Sequence, residues 1–394
     1  MIITEVKTGL SVVLPTDFLN DIQKELKELG YSHWIKGDNL LKISQGYIGE
    51  ICGNDYKVLI TPSIHYLTTK DYLRLVAYES NLFYDGDDLD FVQSDNLGIY
   101  IINLFLEYTH QLIQEGIPYK YVDKVKYNNF FTGNINIEET YMRYMLNTKP
   151  VVKTVAQELS INYFTVIVLH QAYNRILQRF KNKKNPYIDR AFSRVEKKEY
   201  SKNEIIIKKV FFHKNETTLS NAYTFAKLII NNMNISRGEE HLTSSILIDS
   251  NSVFEKFVFK LFRNFLPDEP FVYHDRQRGI AFSEDIEKVR IEPDILHKGI
   301  KTTVLDVKNK NFDKNYSNSD FYQIYTYCKA YSSTLGILIY PSVEETKSYK
   351  ILTSFDSSIT LYAISLNIKD MKVKDRLNAY QDFLKNIMEI IDFQ

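Results

Sequence analysis

The sequence predicts an α+β protein of several domains: a β-rich N-terminal module, a mostly helical middle, and a C-terminal α/β domain with a mixed central sheet. Three observations carry that expectation. From Ser244 onward, short β-branched and aromatic runs alternate with amphipathic helical spacing, the pattern of helices laid on a sheet. Between Asn96 and Met233, apolar residues recur mostly at helical intervals. Before residue 95 the apolar runs are short and broken by glycine turns. The implied division is 1–95, 96–240 and 241–394, and a chain of 394 residues is long enough for several cores.

Composition narrows the function classes. Hydrophobic residues make up 44% and charged residues 25%, as in a soluble globular chain. Tyr (29) and Phe (24) far outnumber Gly (14) and Pro (9), which points to dense packing and few flexible linkers. The formal net charge is zero, so no global field draws in a polyanion, and any nucleic-acid contact must come from a local patch. Two cysteines, Cys52 and Cys328, exclude a disulfide framework and a cysteine zinc site. The sequence shows neither a signal pattern nor an apolar run of membrane-spanning length. The expectation is a cytoplasmic protein with no membrane contact.

In chain order, Asp17 caps a helix carrying Phe18, Ile22, Leu26 and Leu29, which Gly30 ends. Gln45–Ile51 and Tyr56–Pro62 read as strands joined by a Gly53-Asn54-Asp55 turn, and Asp71–Ser80 as a short helix. Asn96–Glu115 is amphipathic and stops at Gly116 and Pro118. Tyr121–Phe131 and Asn134–Ile137 then read as a strand pair hinged on Gly133, followed by one long helix over Thr154–Phe180. His170 on that helix reads as a packed core histidine, because no second ligand completes a metal motif. Arg175 to Lys214 is strongly basic; it suits either a solvated helix end and loop or a face that meets phosphates or a partner. Leu219–Met233 is a further helix, and the polar loop 234–243, with Ser236-Arg237-Gly238, marks the boundary. The order after it is strand (245–249), helix (251–265), strand (270–274), a hairpin, helix (320–331), three strands (335–340, 349–355, 359–367) and a terminal helix (373–391).

The hairpin concentrates the chemistry. Arg290–Leu296 and Lys301–Lys308 read as two strands around Gly299. Residues two apart share a strand face, so Asp306 and Lys308 point the same way. Pro293 lacks an N–H and suits a strand start, edge or bulge. Pairing around Gly299 brings Asp294 to Asp306 and Lys308. Two converging carboxylates repel unless a cation lies between them, and an open set of hard oxygens suits Mg²⁺. A lysine beside that ion can orient water or stabilise phosphate charge. Glu255 lies at the edge of the apolar stripe Phe254, Phe257, Val258, Leu261 and Phe262, from where it can look across at the hairpin. Asp320, Gln323 and Tyr327 share one face of the helix after the Lys308 strand, and the Gln and Tyr can supply hydrogen bonds without added repulsion.

Pro293-Asp294, a spacer, then Asp306-Val-Lys308 resembles the signature of PD-(D/E)XK nucleases. With Val253-Phe254-Glu255 before it and Asp320-Phe-Tyr-Gln323 after it, the series resembles the McrC family, the nuclease subunit of McrBC-type 5-methylcytosine-dependent restriction systems. Upstream, Gly46-x-Ile48-Gly with Leu59-Ile60-x-Pro62, Leu112-x-x-x-Gly116, Phe131-Thr-Gly133-Asn-Ile135 and Asn221–Ile229 resemble further segments of that family; residues 1–40 match none. The resemblance implies a PD-(D/E)XK endonuclease domain at 241–394 that hydrolyses DNA phosphodiesters with Mg²⁺. Asp294, Asp306 and a supporting Glu255 would be the metal ligands, with Lys308 and Gln323 completing the catalytic set. It also implies a McrB-like AAA+ GTPase partner, a hexameric motor whose hydrolysis the chain stimulates, and modified double-stranded DNA as substrate. Residues 1–95 would meet that partner. Ser250 stands where the family often has Met, a change expected to matter only for packing. The chain has no Gly-Lys dipeptide and so no phosphate loop of its own, and no nucleotide is expected on it. The alternatives are an AAA+ motor regulator with a vestigial nuclease site, which the intact acidic residues and lysine argue against, and a stand-alone repair nuclease, which the large N-terminal region argues against.

Overall fold

The computed structural model describes residues 2–53, 56–79, 97–128, 133–146, 152–213, 215–237, 242–275, 278–283, 286–312, 317–351, 357–369 and 373–392. They form two compact units, residues 1–97 with 236–394, and residues 98–235. The separation expected between 1–95 and 241–394 is therefore not found. The reason is one strand. Leu242–Asp249 runs antiparallel to Tyr47–Cys52, with Ile248 opposite Ile48, so it joins the N-terminal sheet instead of the C-terminal one. Tyr47–Cys52 in turn pairs with Tyr56–Thr61, which lies parallel to Ile2–Lys7. Gly49 permits the close approach: its φ is +136°, and a Cβ there would lie 2.1 Å from the Ile246 carbonyl oxygen. The helix Thr16–Leu29 covers this sheet with Phe18, Ile22 and Leu26, all buried, and ends in a left-handed Gly30 as expected, but it starts after Pro15 with no side-chain cap, so Asp17 lies in its first turn and does not cap it. Asn54-Asp55 of the expected turn lie outside the described residues.

The C-terminal sheet is mixed, as the sequence suggests. Its strand order is Phe271–Tyr273, Ile295–Lys298, Thr302–Val307, Leu335–Ser342, Thr360–Asn367 and Ser348–Ile351. Thr302–Val307 runs parallel to Leu335–Ser342 through the helix Asn318–Ala330. Ser317 caps that helix by accepting from the Asp320 N–H. Gly336 lets the helix lie tight on the sheet, for a Cβ there would meet Ile324 Cγ1 and Cys328 Sγ at 2.8 Å. The other long helix, Ser250–Phe265, buries Phe254, Phe257, Val258, Leu261 and Phe262, the stripe read from the sequence. Its N-cap is Asp249, whose carboxylate accepts from the Asn251 and Ser252 N–H groups. The strand expected over 349–355 spans Ser348–Ile351; residues 352–356 lie outside the description.

Three strand assignments change, the first being that Met233–Arg237 is a strand where the sequence suggests the start of a polar loop. Arg290–Leu296 is not one strand: Ile286–Ile291 pairs with Arg278–Ser283 in a separate hairpin, and a new strand starts at Ile295. Pro293 accounts for the break, since it cannot donate to a ladder. In the second unit, Thr154–Phe180 is not one helix. Val152–Ser160 is a strand paired along its whole length with Lys120–Asn128, and the helix is Phe164–Arg179. The β-branched Val152, Thr154 and Val155 favour the strand. Asn134–Ile135 also pairs with this strand, not with the run ending at Asn128, while Phe131 is outside the described residues. A helix the sequence reading missed, Ile137–Met145, is capped by Asn136 and has no buried residue. His170 is buried, lies tilted against the Phe192 ring, and burial lowers its pKa, as a packed core histidine requires. In the basic stretch, Arg175 donates to the Ile230 and Met233 carbonyls and so caps a helix end; Lys214 and Gly238 are outside the described residues. Among the described residues no helix is long and apolar enough to cross a membrane.

Candidate active site

Register builds the site. Ile295 lies opposite Leu305 in the antiparallel pair, so Asp294 and Asp306 meet one step beyond it. Asp294 Oδ2 accepts from the Val307 N–H at 2.7 Å, which fixes its carboxylate against the neighbouring strand. Asp306 is fully buried, and Val304 on its face packs in one cluster with Ile324, Tyr327 and Leu338. Lys308 Nζ stands 2.6 Å from Asp306 Oδ2 and donates to Gln323 Oε1 at 2.9 Å. Gln323 Nε2 donates to the Tyr327 hydroxyl at 2.7 Å, so the helix after the strand holds the lysine from behind. Asp320, expected on the same face, is used differently: it takes Lys310 at 2.5 Å and the Tyr340 hydroxyl at 3.0 Å, next to its own helix start.

The electrostatics are those of carboxylates kept from water. Burial and then the Asp294 charge push Asp306 up to about 7, against the opposing pull of Lys308. Asp294 is raised by burial and by the nearby Glu255 charge. Burial alone would lower Lys308, but Asp306 and Asp294 outweigh it and its pKa rises. The Lys308 ammonium pairs with Asp306 Oδ2, while the buried Asp306 Oδ1 has no hydrogen-bond partner among the described residues. A buried carboxylate oxygen without a donor is costly, and a hard cation is the partner that suits it.

Glu255 stands slightly apart. Its charge is felt at Asp294, yet its Oε1 lies 2.5 Å from His274 Nε2. His274 Nδ1 is in turn 3.3 Å from Glu292 Oε1. Among the described residues no three His, Cys, Asp or Glu side chains already form a metal cage. The structure thus brings together Asp294, Asp306, Lys308 and Gln323, with Glu255 alongside them on the imidazole. His274 and Glu292 were missed from the sequence, where His274 reads only as the end of a strand. Asn309 was missed too: it accepts from the Tyr72 hydroxyl at 2.5 Å and donates to Ser250 Oγ at 2.8 Å. Ser250 also donates to the Gly46 carbonyl at 2.6 Å. Its hydroxyl therefore ties the N-terminal sheet to the residue after Lys308, a polar role that the packing expectation did not foresee.

The family model for McrBC 5-methylcytosine restriction system components matches residues 43–341. The chain belongs to this family. The McrBC match spans all five expected site residues and leaves the first 42 outside, in line with the unplaced 1–40 of the sequence reading. Among solved structures, the chain is similar to one from the refined half-complex of a tetradecameric assembly of Thermococcus gammatolerans McrB AAA+ hexamers with bound McrC. The two align at 14% identity over 98% of this chain and 100% of that one, with a TM-score of 0.55. That likeness extends the McrBC-type fold through the N-terminal segment. A chain of the Thermococcus gammatolerans McrBC complex solved by cryo-EM aligns at 15% identity over 67% of this chain and 88% of that one, with a TM-score of 0.36. No curated protein matches the sequence significantly.

Proposed function

We propose that this McrBC-family chain is the endonuclease subunit of a modification-dependent restriction complex, cutting DNA by Mg²⁺-dependent phosphodiester hydrolysis in a PD-(D/E)XK-type site. One observation carries the reading: Asp306 is fully buried beside a second carboxylate and a lysine, with its pKa raised. Such a grouping costs stability, which a binding or catalytic role explains and a structural one does not. Asp294 and Asp306 are the residues to hold Mg²⁺, with Glu255 supporting. The chemistry Mg²⁺ supplies when bound is Lewis-acid polarisation of a phosphoryl oxygen. Lys308, directed by Gln323 and Tyr327, is set to face the charge that develops on the scissile phosphate.

The partner proposed is a McrB-like hexameric AAA+ GTPase that delivers modified double-stranded DNA and whose hydrolysis this chain stimulates, with residues 1–95 as its contact. Support comes from the family, from the Thermococcus gammatolerans assembly of McrB hexamers with bound McrC, and from the lack of a phosphate loop here. With zero net charge, the chain alone should hold DNA only in the non-specific range of about 10⁻⁴–10⁻⁶ M. The test assays the chain with and without such a GTPase, scoring cuts in methylated DNA and phosphate release. Cutting is expected only with both proteins, Mg²⁺ and GTP. Robust cutting by the chain alone would favour a free-standing nuclease, and stimulated hydrolysis with no cutting under any condition would favour a motor regulator with a vestigial site.

A further inference from the structure

We propose that His274 is a positioning residue that keeps the Glu255 carboxylate on the Asp294 side of the site, from where it can join the two aspartates when Mg²⁺ binds. The inference rests on the nuclease reading and adds to it a residue that the motif does not contain.

Three observations support it. The first is the conformation. His274 has φ +44°, a left-handed backbone that is rare outside glycine and costs free energy. It follows directly on the strand Phe271–Tyr273, whose Tyr273 pairs with Ile295, and its own N–H donates to the Asp294 carbonyl at 3.0 Å. The strained residue is thus pinned to the backbone of one proposed ligand. The second is where the ring goes. The left-handed turn carries the imidazole between two carboxylates, with Nε2 2.5 Å from Glu255 Oε1 and Nδ1 3.3 Å from Glu292 Oε1. The Tyr273 ring meets it edge-on at 4.2 Å. The third is electrostatic need. His274 binds Glu255 through its ring and the Asp294 carbonyl through its N–H, so two like charges are kept on one side of the site, and burial and then the Glu255 charge raise Asp294. Left alone, Glu255 would turn toward water; a ring N–H donated from Nε2 keeps it in place. Outer-shell donors of this kind fix the orientation of metal-ligating carboxylates.

The two ring nitrogens allow a discriminating test on the full-length chain, with Mg²⁺ affinity read by calorimetry in the absence of DNA and partner. Glycine accepts the left-handed backbone without cost, so His274→Gly removes the ring and keeps the fold. A Gln amide reaches about as far as Nε2, whereas an Asn amide reaches only as far as Nδ1. His274→Gly and His274→Asn are expected to weaken Mg²⁺ binding by about 10–100-fold, the usual effect of removing an outer-shell partner. His274→Gln should restore most of it. In a Glu255→Ala background, His274→Gly should have no further effect. If wild type binds Mg²⁺ in an Asp306-dependent way and His274→Gly binds as tightly, the positioning role is wrong. Equal rescue by Asn and Gln would also overturn it, because the contact to Glu255 would then be irrelevant. If wild type shows no Asp306-dependent Mg²⁺ binding at all, the nuclease reading falls and this inference with it.

Discussion

Two strand pairs in this protein are built alike and used in opposite ways. Lys120–Asn128 with Val152–Ser160, and Ile295–Lys298 with Thr302–Val307, are both antiparallel ladders. In the first, Tyr121, Val125, Tyr127 and Leu159 are exposed, and Lys124 and Lys126 both reach Glu158 across the face. Those pairs sit in water, where charge contributes little to stability in either direction. In the second, Thr303, Val304, Leu305 and Asp306 are all fully buried. A carboxylate there has lost its water and has a second carboxylate for a neighbour. The contrast teaches that a lysine beside a carboxylate on a strand face has no meaning of its own. What marks it as a site is burial that makes the charge expensive.

The largest effect that separates the two pairs should come from the packing around the buried one. Phe254→Ala removes a fully buried ring next to Glu255 and is expected to cost about 3–5 kcal/mol in chemical denaturation. A cost near zero would mean that this helix is not the support of the site. Next is the lysine. Lys308→Ala should lower single-turnover cleavage in the assembled complex by about 10²–10³-fold while Mg²⁺ binding persists. An unchanged rate would reduce Lys308 to an ordinary ion-pair partner of Asp306.

Smaller but more diagnostic is the pH dependence of the metal-free protein. Asp306 has its folded pKa raised to about 7, whereas an unfolded Asp titrates near 4. Between those values the folded chain keeps a proton that the unfolded chain releases, so stability falls as pH rises and the penalty is complete above about 7. Tm in EDTA should therefore drop from about pH 5 to about pH 8, and Asp306→Asn should flatten the drop and raise Tm at the upper end. Mg²⁺ should raise the wild-type Tm more at the upper pH than at the lower, since binding requires the ionised pair. A Tm that climbs over this interval would contradict the burial argument. The smallest effect belongs to the exposed ladder: Tyr121→Ser should change stability by no more than about 0.5 kcal/mol.

The site was legible where its logic is local. Asp306 and Lys308 share a strand face by periodicity and Gln323 follows on the next helix, whereas the run read as one strand through Pro293 is broken there and starts again at Ile295. The C-terminal α/β order was legible for the same reason, since each element carries its own period. What escaped depends on distant pairing. Leu242–Asp249 has a good strand pattern, but nothing in it says that its partner is Tyr47–Cys52. Val152–Ser160 merged into the following helix because only its pairing with Lys120–Asn128 sets it apart. His274 was invisible because its importance lies in a positive φ and two carboxylates brought in from residues 255 and 292. Asn309 is the same case, joined to Tyr72 and Ser250 only in three dimensions.

The most direct test of the central claim is cleavage of methylated duplex DNA by the assembled complex carrying Asp306→Asn, with GTP hydrolysis measured in the same reaction. The account predicts that cutting is lost with Mg²⁺ present while stimulation of the GTPase is retained, because Asn keeps the shape of Asp306 and relieves its repulsion with Asp294 but cannot serve the metal as a carboxylate does. Undiminished Mg²⁺-dependent cutting by the Asp306→Asn complex would contradict it and move the active site elsewhere in the chain.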